Sequence, residues 1–566
     1  MSLPHDIWHT IDTPSSAIQQ ASGTLVGGVI GHRIDITWRN NLLQLDWTND
    51  FLRPFIEKRG TGGEYVGMGK TLDGLIKLAH HTNAPELAAL RHDVLTKLIG
   101  AQLPDGYLGT YEPAARVTKV WDVHEMSYVL YALITDWKLF HEQSSLDAAI
   151  RLGDYLLTSL TPDAFSQIAS NGLCPELSLI GLDRALLALH SATGDTRPLR
   201  FVVDTLHLPT WDLPIVEGRH GKIEGHAYAF LTRCVAQIEL YHLTGDVRLL
   251  AQTRAAMSFL LESGGLVITG ACGMSECWHH DQTGSGELGE TCTTAYQIRL
   301  YDNLLRMDGS ALYGDLMEVA IYNTLFAAQS PDGRQLRYYT PFDGQRKYWD
   351  RDTYCCPSNY RRIVAELPGM IAYTGEHGVL VNLYTESNIN ATLAGSSISL
   401  TQESNYPASG DVRLVIGTES PQLFAVNLRI PSWCNSFTVS VNGDSVASTT
   451  LDGIAQIERT WQDGDEITLR LDMPWRTVEG FATQAGKVAV MRGPVLYALD
   501  PAANNLSETD IANLRLDTQP LQSLPQTDLL VEIPAASATM CVPSRRQVLL
   551  TPFTAPSNTI TYFSPI

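Results

Sequence analysis

The 566-residue sequence lacks the features that mark membrane proteins and nucleic-acid-binding proteins. No stretch approaches the ~20 consecutive apolar residues that a helix needs to cross a bilayer, so we expect no membrane span. Lys and Arg form no cluster, and 40 basic residues against 61 acidic ones give a formal net charge of −21. Because nucleic acids and anionic membranes bind concentrated basic surfaces, we expect neither as a partner.

Two further absences concern the compartment. The start of the chain, Met1–Asp6, has neither the basic residues nor the apolar core of a secretory signal. Cysteine is scarce, and nine cysteines in a chain of this length make a poor disulfide framework. Both observations favour a reduced, cytoplasmic location. Five of the nine cysteines nevertheless fall between positions 272 and 356, which predicts a local thiol cluster.

The first two thirds of the chain are predicted to be helical. Apolar residues recur at helical spacing over 146–160 and 177–189. Turn-like segments follow one another at intervals of roughly 50 to 64 residues, as at Thr193-Gly194-Asp195, where Gly suits the end of one helix and Asp the start of the next. About six helical hairpins fit before residue 370. This favours a closed ring of paired helices, an (α/α)6 barrel, with an open solenoid as the alternative.

After about residue 373 the hydrophobic pattern changes to a period of two. Phe437–Val441 alternates and ends at the turn Asn442-Gly443-Asp444, and Ile467–Leu471 and Val488–Met491 alternate in the same way. This pattern predicts one or two antiparallel β-sandwiches. We expect the chemistry in the helical barrel, since appended sandwiches usually serve as support.

The predicted fold is therefore an α+β multidomain chain, an N-terminal (α/α)6 barrel followed by one or two antiparallel β-sandwich domains. The predicted domains are a catalytic barrel over residues 1–372, a sandwich over 373–485, and a second sandwich, or a continuation of the first, over 486–566.

Two adjacent cysteines, Cys355 and Cys356, are the most informative motif. Neighbouring cysteines rarely bridge each other, because the disulfide geometry strains the peptide between them. With Glu290 and Cys292 they supply the four donors of a tetrahedral Zn²⁺ site. From the residues alone, a structural zinc ion and metal-free core thiols remain alternatives to a catalytic metal. A thiolate in such a site would be nucleophilic at neutral pH.

A further carboxylate, Glu276, lies two residues before Trp278. Burial beside an indole would raise the pKa of this carboxyl and suit it to general acid catalysis. A solvated loop glutamate is the alternative, and Asp281, Glu287 and Glu290 compete for the same role.

Two histidines, His124 and His226, lie in otherwise apolar helical segments. A hydrogen-bonded core histidine is one interpretation of each. In a helical ring, however, polar residues of the inner helices line a central pocket. A pocket with His, Glu, Tyr and Trp suits a sugar, whose hydroxyls need fixed partners and whose ring faces stack on aromatic groups.

Together these motifs resemble glycoside hydrolase family 127, the β-L-arabinofuranosidase-like family that uses a zinc-bound cysteine as nucleophile. The specific combination is Glu-Thr-Cys at 290–292 with Cys-Cys-Pro-Ser-Asn at 355–359. The resemblance extends over nearly the whole length of the chain. Weaker support comes from six further segments: Gln102–Leu108, His124–Glu125, Gly225–Ala227, Leu428–Trp433, Val441–Gly443 and Arg492–Val495.

The resemblance implies a retaining exo-glycoside hydrolase that acts on a terminal β-L-arabinofuranoside or a related furanoside, with Zn²⁺ as cofactor. It assigns the following roles: Glu290, Cys292, Cys355 and Cys356 match the zinc ligands, Cys355 matches the nucleophile, Glu276 matches the acid/base, and His124, His226 and Tyr338 match sugar-contacting residues.

One departure concerns the sugar. Cys174-Pro175-Glu176 stands where the family has a histidine-containing segment, which predicts the loss of one sugar contact. Two alternatives stay open: a non-hydrolytic glycan-binding protein with structural zinc, and an enzyme for a different sugar, an acidic one included. The expected partner is an oligosaccharide or glycoside, and the sequence leaves a homodimer open.

Overall fold

The computed structural model describes residues 18–21, 24–170, 175–447, 450–523, 536–542 and 544–565. The helices are α1 Gly28–Asn40, α2 Arg53–Glu57, α3 Met68–Thr82, α4 Pro85–Gly100, α5 Asp122–Phe140, α6 Gln143–Ser159, α7 Pro162–Ser170, α8 Pro175–Ser178, α9 Leu182–Thr193, α10 Thr196–Arg200, α11 Ala227–Thr244, α12 Ala251–Leu261, α13 Thr291–Asp308, α14 Ala311–Ala320, α15 Cys355–Val364 and α16 Glu508–Ala512. Within these ranges no helix has the length and apolar character needed to cross a membrane.

The strands are β1 Gln19–Gln20, β2 Leu25–Val26, β3 Gly344–Gln345, β4 Ala372–Gly375, β5 Gly378–Val381, β6 Ser387–Leu393, β7 Ser396–Ser404, β8 Asp411–Thr418, β9 Gln422–Arg429, β10 Phe437–Val441, β11 Asp444–Ser445, β12 Thr450–Leu451, β13 Ile454–Trp461, β14 Glu466–Leu471, β15 Trp475–Glu479, β16 Val488–Arg492, β17 Val495–Leu499, β18 Arg515–Ser523, β19 Ala536–Val542, β20 Ser544–Pro552, β21 Asn558–Thr559 and β22 Tyr562–Pro565.

Six helices form a closed inner ring. Helix α3 packs on α5, α5 on α9, α9 on α11, α11 on α13, α13 on α15, and α15 packs back on α3. Each of α4, α6, α10, α12 and α14 packs on the inner helix before it, and α1 packs on α15. The contact between α15 and α3 closes the ring. The predicted (α/α)6 barrel is therefore confirmed, and the open solenoid is wrong.

The junctions between inner and outer helices carry the turn residues that the sequence predicts. Gly194, Gly245 and Gly309 each follow an inner helix with φ near +70°, a conformation in which glycine pays no steric penalty. Asp195 and Asp246 then accept a hydrogen bond from the backbone N–H two residues further on. These caps fix where each hairpin turns.

One predicted helix is interrupted. The periodic segment 177–189 forms the end of α8 and the start of α9, separated by Gly181 with φ +93°. A Cβ at this glycine would meet the ring of Tyr128 at 2.8 Å, so the chain needs glycine where the two helices approach α5.

Two sheets form the β-sandwich that follows the ring. Their strand orders are β1-β4-β5-β9-β13-β12 and β11-β10-β14-β8-β7-β6-β2, and β5 and β9 run parallel. Buried and exposed residues alternate along β6, as a sheet with one face on the core requires. The edge strands β1 and β2 precede the first helix, so Gln19–Gln20 and Leu25–Val26 pair with strands of the sandwich. The ring and the sandwich share one continuous hydrophobic core.

The third sheet has the order β15-β16-β17-β20-β19-β18-β22 and closes on itself, because β22 also pairs with β16. Val490 belongs to the core inside this sheet, while its neighbour Met491 belongs to a separate buried cluster that also includes Leu288. The sheet begins at Trp475. The domain boundaries predicted after residues 372 and 485 remain predictions.

Candidate active site

The predicted site residues lie at the end of the ring where inner helices begin. Cys355 is the first residue of α15, and Glu290 and Cys292 flank the first residue of α13. His226 precedes α11, and His124 lies in the first turn of α5. Because helix N-termini carry partial positive charge, this end of the ring favours thiolates and carboxylates.

Glu290, Cys292, Cys355 and Cys356 form one group whose ligand atoms all lie within 4.8 Å of one another. Sγ of Cys356 is 3.3 Å from Sγ of Cys292 and 3.6 Å from Oε1 of Glu290. Tetrahedral zinc with Zn–S bonds of about 2.3 Å needs donor atoms about 3.8 Å apart, so the group fits Zn²⁺ in number, chemistry and spacing. The predicted ligands therefore come together, and the identity of the ion remains a prediction.

Two side chains orient this group. Thr293 Oγ1 donates to Glu290 Oε2 at 2.6 Å, and Asn359 Nδ2 donates to Cys292 Sγ at 3.1 Å. Such outer bonds hold metal ligands in position. Cys272 and Cys277, which belonged to the predicted thiol cluster, lie outside the group, so the cluster comprises three cysteines.

The charge of the group is concentrated on Cys355. Burial alone would raise the pKa of this thiol, but hydrogen bonds with Cys292 and Cys356, together with the Lys70 ammonium, lower it well below its usual value. Burial and the neighbouring thiols raise the pKa of Cys356. Lys70 is itself buried and donates to Tyr228 Oη at 3.0 Å. Sequence reasoning missed Lys70, because nothing in the pattern of α3 distinguishes a site lysine from a surface one.

Tyr338 connects the two predicted catalytic residues. Its hydroxyl lies 2.5 Å from Glu276 Oε1 and 3.2 Å from Cys355 Sγ. The carboxylate oxygen and the sulfur are therefore at most 5.7 Å apart, the sum of these two distances. Nucleophile and acid in retaining glycosidases are separated by about 5–5.5 Å. The arrangement thus permits a retaining double displacement.

Glu276 accepts hydrogen bonds from several neighbours. His220 Nε2 lies 2.8 Å and His226 Nε2 3.3 Å from its Oε2. Burial alone would raise the pKa of Glu276, but its bonds with His226, Tyr338 and His220 lower the pKa to about 2. In the substrate-free protein Glu276 is accordingly a carboxylate.

The expectation that Trp278 raises the pKa of Glu276 is therefore wrong. The indole of Trp278 is buried and packs edge-on against Phe230 and Phe259. Histidine and tyrosine donors that are distant in sequence determine the ionisation of this carboxyl instead.

Strained backbone supports both predicted catalytic residues. Ser275 and Glu276 form the tip of a two-residue hairpin, with φ +48° and +67°, closed by mutual backbone bonds between Met274 and Cys277. Tyr354, directly before Cys355, has φ +99° and ψ 174°, a region occupied almost only by glycine. Residues held in such conformations cluster at functional sites.

A cavity of about 320 Å³ lies over these groups. It is lined by Gly63, Tyr65, Trp121, His124, Leu177, His220, Gly221, His226, Tyr228, Glu276, Glu290, Tyr338, Tyr354 and Cys355. All three predicted sugar-contacting residues belong to this lining. Their roles remain predictions.

His124 and His226 differ in which imidazole nitrogen contacts the protein. His124 Nδ1 bonds to the Leu177 carbonyl at 3.1 Å, and burial keeps the pKa of this imidazole well below its usual value. His124 is therefore neutral, and its Nε2 is an acceptor. His226 Nδ1 is buried and has no hydrogen-bond partner among the described residues.

Several lining residues gave little or no signal in the sequence. Tyr65, Trp121, His220 and Tyr228 come from four separate segments, and only Tyr354, next to Cys355, could have been inferred from its position. The sugar contact predicted to be lost at Cys174 lies outside the described residues.

Comparisons with known proteins support the resemblance that the sequence motifs indicate. The sequence model of the β-L-arabinofuranosidase GH127 catalytic domain matches residues 56–369, and that of the GH127 middle domain matches residues 378–473. A relative from Bifidobacterium longum subsp. longum, named non-reducing end β-L-arabinofuranosidase, is 26% identical over 509 residues, which cover 78% of this chain and 75% of the relative.

Two solved structures share the fold. A GH127 β-arabinofuranosidase superposes with a TM-score of 0.81 at 22% identity, covering 98% of this chain and 99% of its own. A GH127 β-L-arabinofuranosidase from Geobacillus stearothermophilus T6 superposes with a TM-score of 0.80 at 22% identity, covering 96% and 100%. Barrel, sandwich and third sheet are thus all common to these chains.

Proposed function

The chain belongs to the β-L-arabinofuranosidase family GH127 and is a glycoside hydrolase, and from this premise we propose that it removes terminal β-L-arabinofuranosyl residues with retention. The name of the Bifidobacterium relative supports the choice of sugar. The observation that carries the mechanism is Tyr338, whose hydroxyl contacts both Cys355 Sγ and Glu276 Oε1.

The metal's part is to stabilise the nucleophile. Zn²⁺ held by Glu290, Cys292, Cys355 and Cys356 would keep the Cys355 thiol ionised at neutral pH. The protein adds to this effect through the Lys70 ammonium.

The reaction proceeds in two displacements. Cys355 Sγ attacks the anomeric carbon, the bond from that carbon to the leaving oxygen breaks, and Glu276 gives its proton to the oxygen. Glu276 then takes a proton from water, whose oxygen attacks the same carbon and releases the thiolate. The first displacement neutralises the thiolate and ionises Glu276, and the second restores both residues to their starting charges.

Glu276 must gain a proton before the first displacement, because its pKa in the free protein is about 2. A sugar that enters the cavity competes for the donors of Tyr338 and His226 and excludes water from the carboxylate. Both changes raise the pKa of Glu276 and favour its protonated form in the complex.

The cavity suits one terminal sugar. Its volume of about 320 Å³ lies at the lower end of the range for small-molecule sites. His124 Nε2 can accept a hydrogen bond from a sugar hydroxyl. Trp121 and Tyr65 offer ring faces or edges against which the furanose can pack. This supports exo action on a glycoside or oligosaccharide.

Metal analysis combined with turnover of a chromogenic β-L-arabinofuranoside tests the proposal. We expect one zinc ion per chain, no measurable turnover for Cys355→Ser, and a loss of about 10²–10⁴-fold for Glu276→Gln with a poor leaving group but much less with a good one. Cys277→Ser, a cysteine in the Glu276 hairpin but outside the metal group, is the matched control and should keep activity.

Two results would contradict the assignment. Full activity of Cys355→Ser would exclude a sulfur nucleophile. Zinc binding without hydrolysis of any arabinofuranoside in a panel of linkages would exclude β-L-arabinofuranosides as the substrate.

A further inference from the structure

A second cavity, of about 850 Å³, lies toward the opposite end of the ring, where inner helices such as α3 and α5 finish. We name it the basal cavity. The lining residues that matter here are Lys77, Tyr131, Arg184, Glu239, Arg299 and Glu366. The catalytic residues proposed above do not line it.

Two buried arginines that line this cavity have guanidinium nitrogens without hydrogen-bond partners among the described residues. Arg184 and Arg299 are 7% and 4% exposed. Arg299 Nε donates to Glu366 at 2.7 Å, and Arg184 Nε and Nη2 donate to Glu239 at 3.0 and 2.6 Å. Arg184 Nη1 and both Nη atoms of Arg299 have no hydrogen-bond partner in the described part of the chain. A buried cationic donor left unpaired is costly.

The charged side chains around Tyr296, above the cavity, also have an excess of positive charge. We call them the polar layer. The ion pairs around Tyr296 join four cations to three carboxylates: Arg184, Arg299, Arg362 and Lys77 against Asp73, Glu239 and Glu366. The Lys70 ammonium also acts on Tyr296 and adds to the excess. Asp183 with Arg233, and Asp302 with Arg306, add pairs of opposite charge.

The state of Tyr296 reflects this excess. Burial alone would raise its pKa, but the cations around it, Arg362 first, lower the pKa to about 7. The polar layer therefore stabilises an added negative charge.

The helix dipole does not account for these arginines. Basic side chains compensate the partial negative charge of helix C-termini, but only within the last turn. Arg299 is the ninth of 18 residues in α13, and Arg184 is the third residue of α9. Water could accept hydrogen bonds from the free nitrogens, yet it would leave the excess charge in place.

We propose that the basal cavity binds a small oxyanion, a phosphate or a carboxylate, between Arg184 and Arg299. Guanidinium groups present pairs of N–H donors whose spacing matches the oxygens of these anions. One bound anion would supply both the missing acceptors and the missing negative charge.

Calorimetry and thermal unfolding at constant ionic strength test the site, with inorganic phosphate, succinate and chloride as separate titrants. We expect saturable binding and a raised melting temperature for phosphate or for succinate, which also distinguishes the two anion types, and no saturable effect of chloride. Arg299→Gln and Arg184→Gln should each weaken binding about tenfold or more. Arg470→Gln, an exposed arginine of the sandwich, should bind like wild type.

Equal effects of all three titrants, or unchanged binding in both cavity variants, would overturn the proposal. If the variants do not fold, wild-type crystals soaked in selenate give the answer, because selenium scatters anomalously. A peak between Arg184 and Arg299 supports the site, and a peak only at the cysteine group, or none, rejects it. Neither readout needs turnover, so the result stands apart from that for the arabinofuranosidase activity.

Discussion

Ser275 and Glu276 adopt a backbone conformation that suits glycine better than either residue. The effect of this strain on stability can be measured separately from any effect on catalysis. Ser275 has φ +48°, its side chain is exposed, and its backbone N–H bonds to the Glu287 carbonyl at 2.9 Å, a bond that any residue can make. We predict that Ser275→Gly raises the free energy of unfolding by about 0.5–1 kcal/mol, since relief of strain exceeds the entropy cost of glycine. Denaturant unfolding and kcat measure the two effects, and kcat should not change.

Glu276→Gly is the control for this prediction. It relieves strain at the next residue, with φ +67°, but it also removes the carboxylate that accepts hydrogen bonds from Tyr338, His220 and His226. We therefore expect no gain in stability from it, and a loss of activity towards poor leaving groups because the proposed acid is absent. A Ser275→Gly protein less stable than wild type would show that the hairpin is not strained.

Some residues of the site could be predicted from the sequence, and others could not. Cys355, Cys356 and the Glu-Thr-Cys motif could be recognised because their side chains have few alternative uses in such spacing. Lys70 and His220 could not, since each acts through contacts between segments that only the closed ring brings together. The ionisation of Glu276 was misjudged for the same reason, because its sequence neighbour Trp278 packs elsewhere.

At the level of secondary-structure elements, α13 ends in a carboxylate, Asp308, whose ionised form is destabilised by its surroundings. Asp308 is the last residue of the helix, half-buried, and accepts a hydrogen bond from the Ser310 N–H at 2.9 Å. Burial raises its pKa to about 7. Because the ordinary value is 3.8, the folded protein binds more protons than the unfolded chain between about pH 4 and pH 7, and stability falls as the pH rises through that range.

We therefore predict that Asp308→Asn, which keeps the acceptor for Ser310, is more stable than wild type, and that its advantage at pH 8 exceeds that at pH 5 by about 2 kcal/mol. Thermal or urea unfolding at the two pH values measures the difference. Asp308→Ala should show the same pH trend from a lower baseline, because it also loses the hydrogen bond. A difference that does not change with pH would contradict the prediction.

The turns between helices were easier to predict than the packing and pairing of the helices and strands. The segments around Gly194, Gly245 and Gly309 end their helices as expected, since helix caps depend on local backbone conformation. The break at Gly181 was missed, because apolar spacing continues across it while the reason for glycine there is the nearby ring of Tyr128. Likewise, nothing local in Gln19–Gln20 or Leu25–Val26 indicates that these residues pair with strands some 350 residues away.

For the whole molecule, a buried ionic group bridges the sandwich and the ring in addition to their shared hydrophobic core. Arg429 of β9 reaches α14, where its Nη1 lies 2.6 Å from Asp315 and its Nη2 2.7 Å from Glu318. Glu318 is fully buried and also accepts hydrogen bonds from Tyr406 Oη at 2.6 Å and Trp433 Nε1 at 3.2 Å. Removing one partner of such a group leaves an uncompensated buried charge.

We predict that Arg429→Met lowers the free energy of unfolding by about 3–5 kcal/mol, because Glu318 loses its cation inside the interface. Arg413→Met is the matched control: Arg413 also bonds two carboxylates, Glu403 and Glu466, but on the exposed face of the same sandwich, and its loss should cost less than about 1 kcal/mol. Urea unfolding followed by fluorescence measures both. In the double variant Arg429→Met with Glu318→Leu, part of the lost stability should return, since no unpaired charge stays buried at position 318. Equal costs for the two single variants would mean that the interface is held by apolar packing rather than by this group.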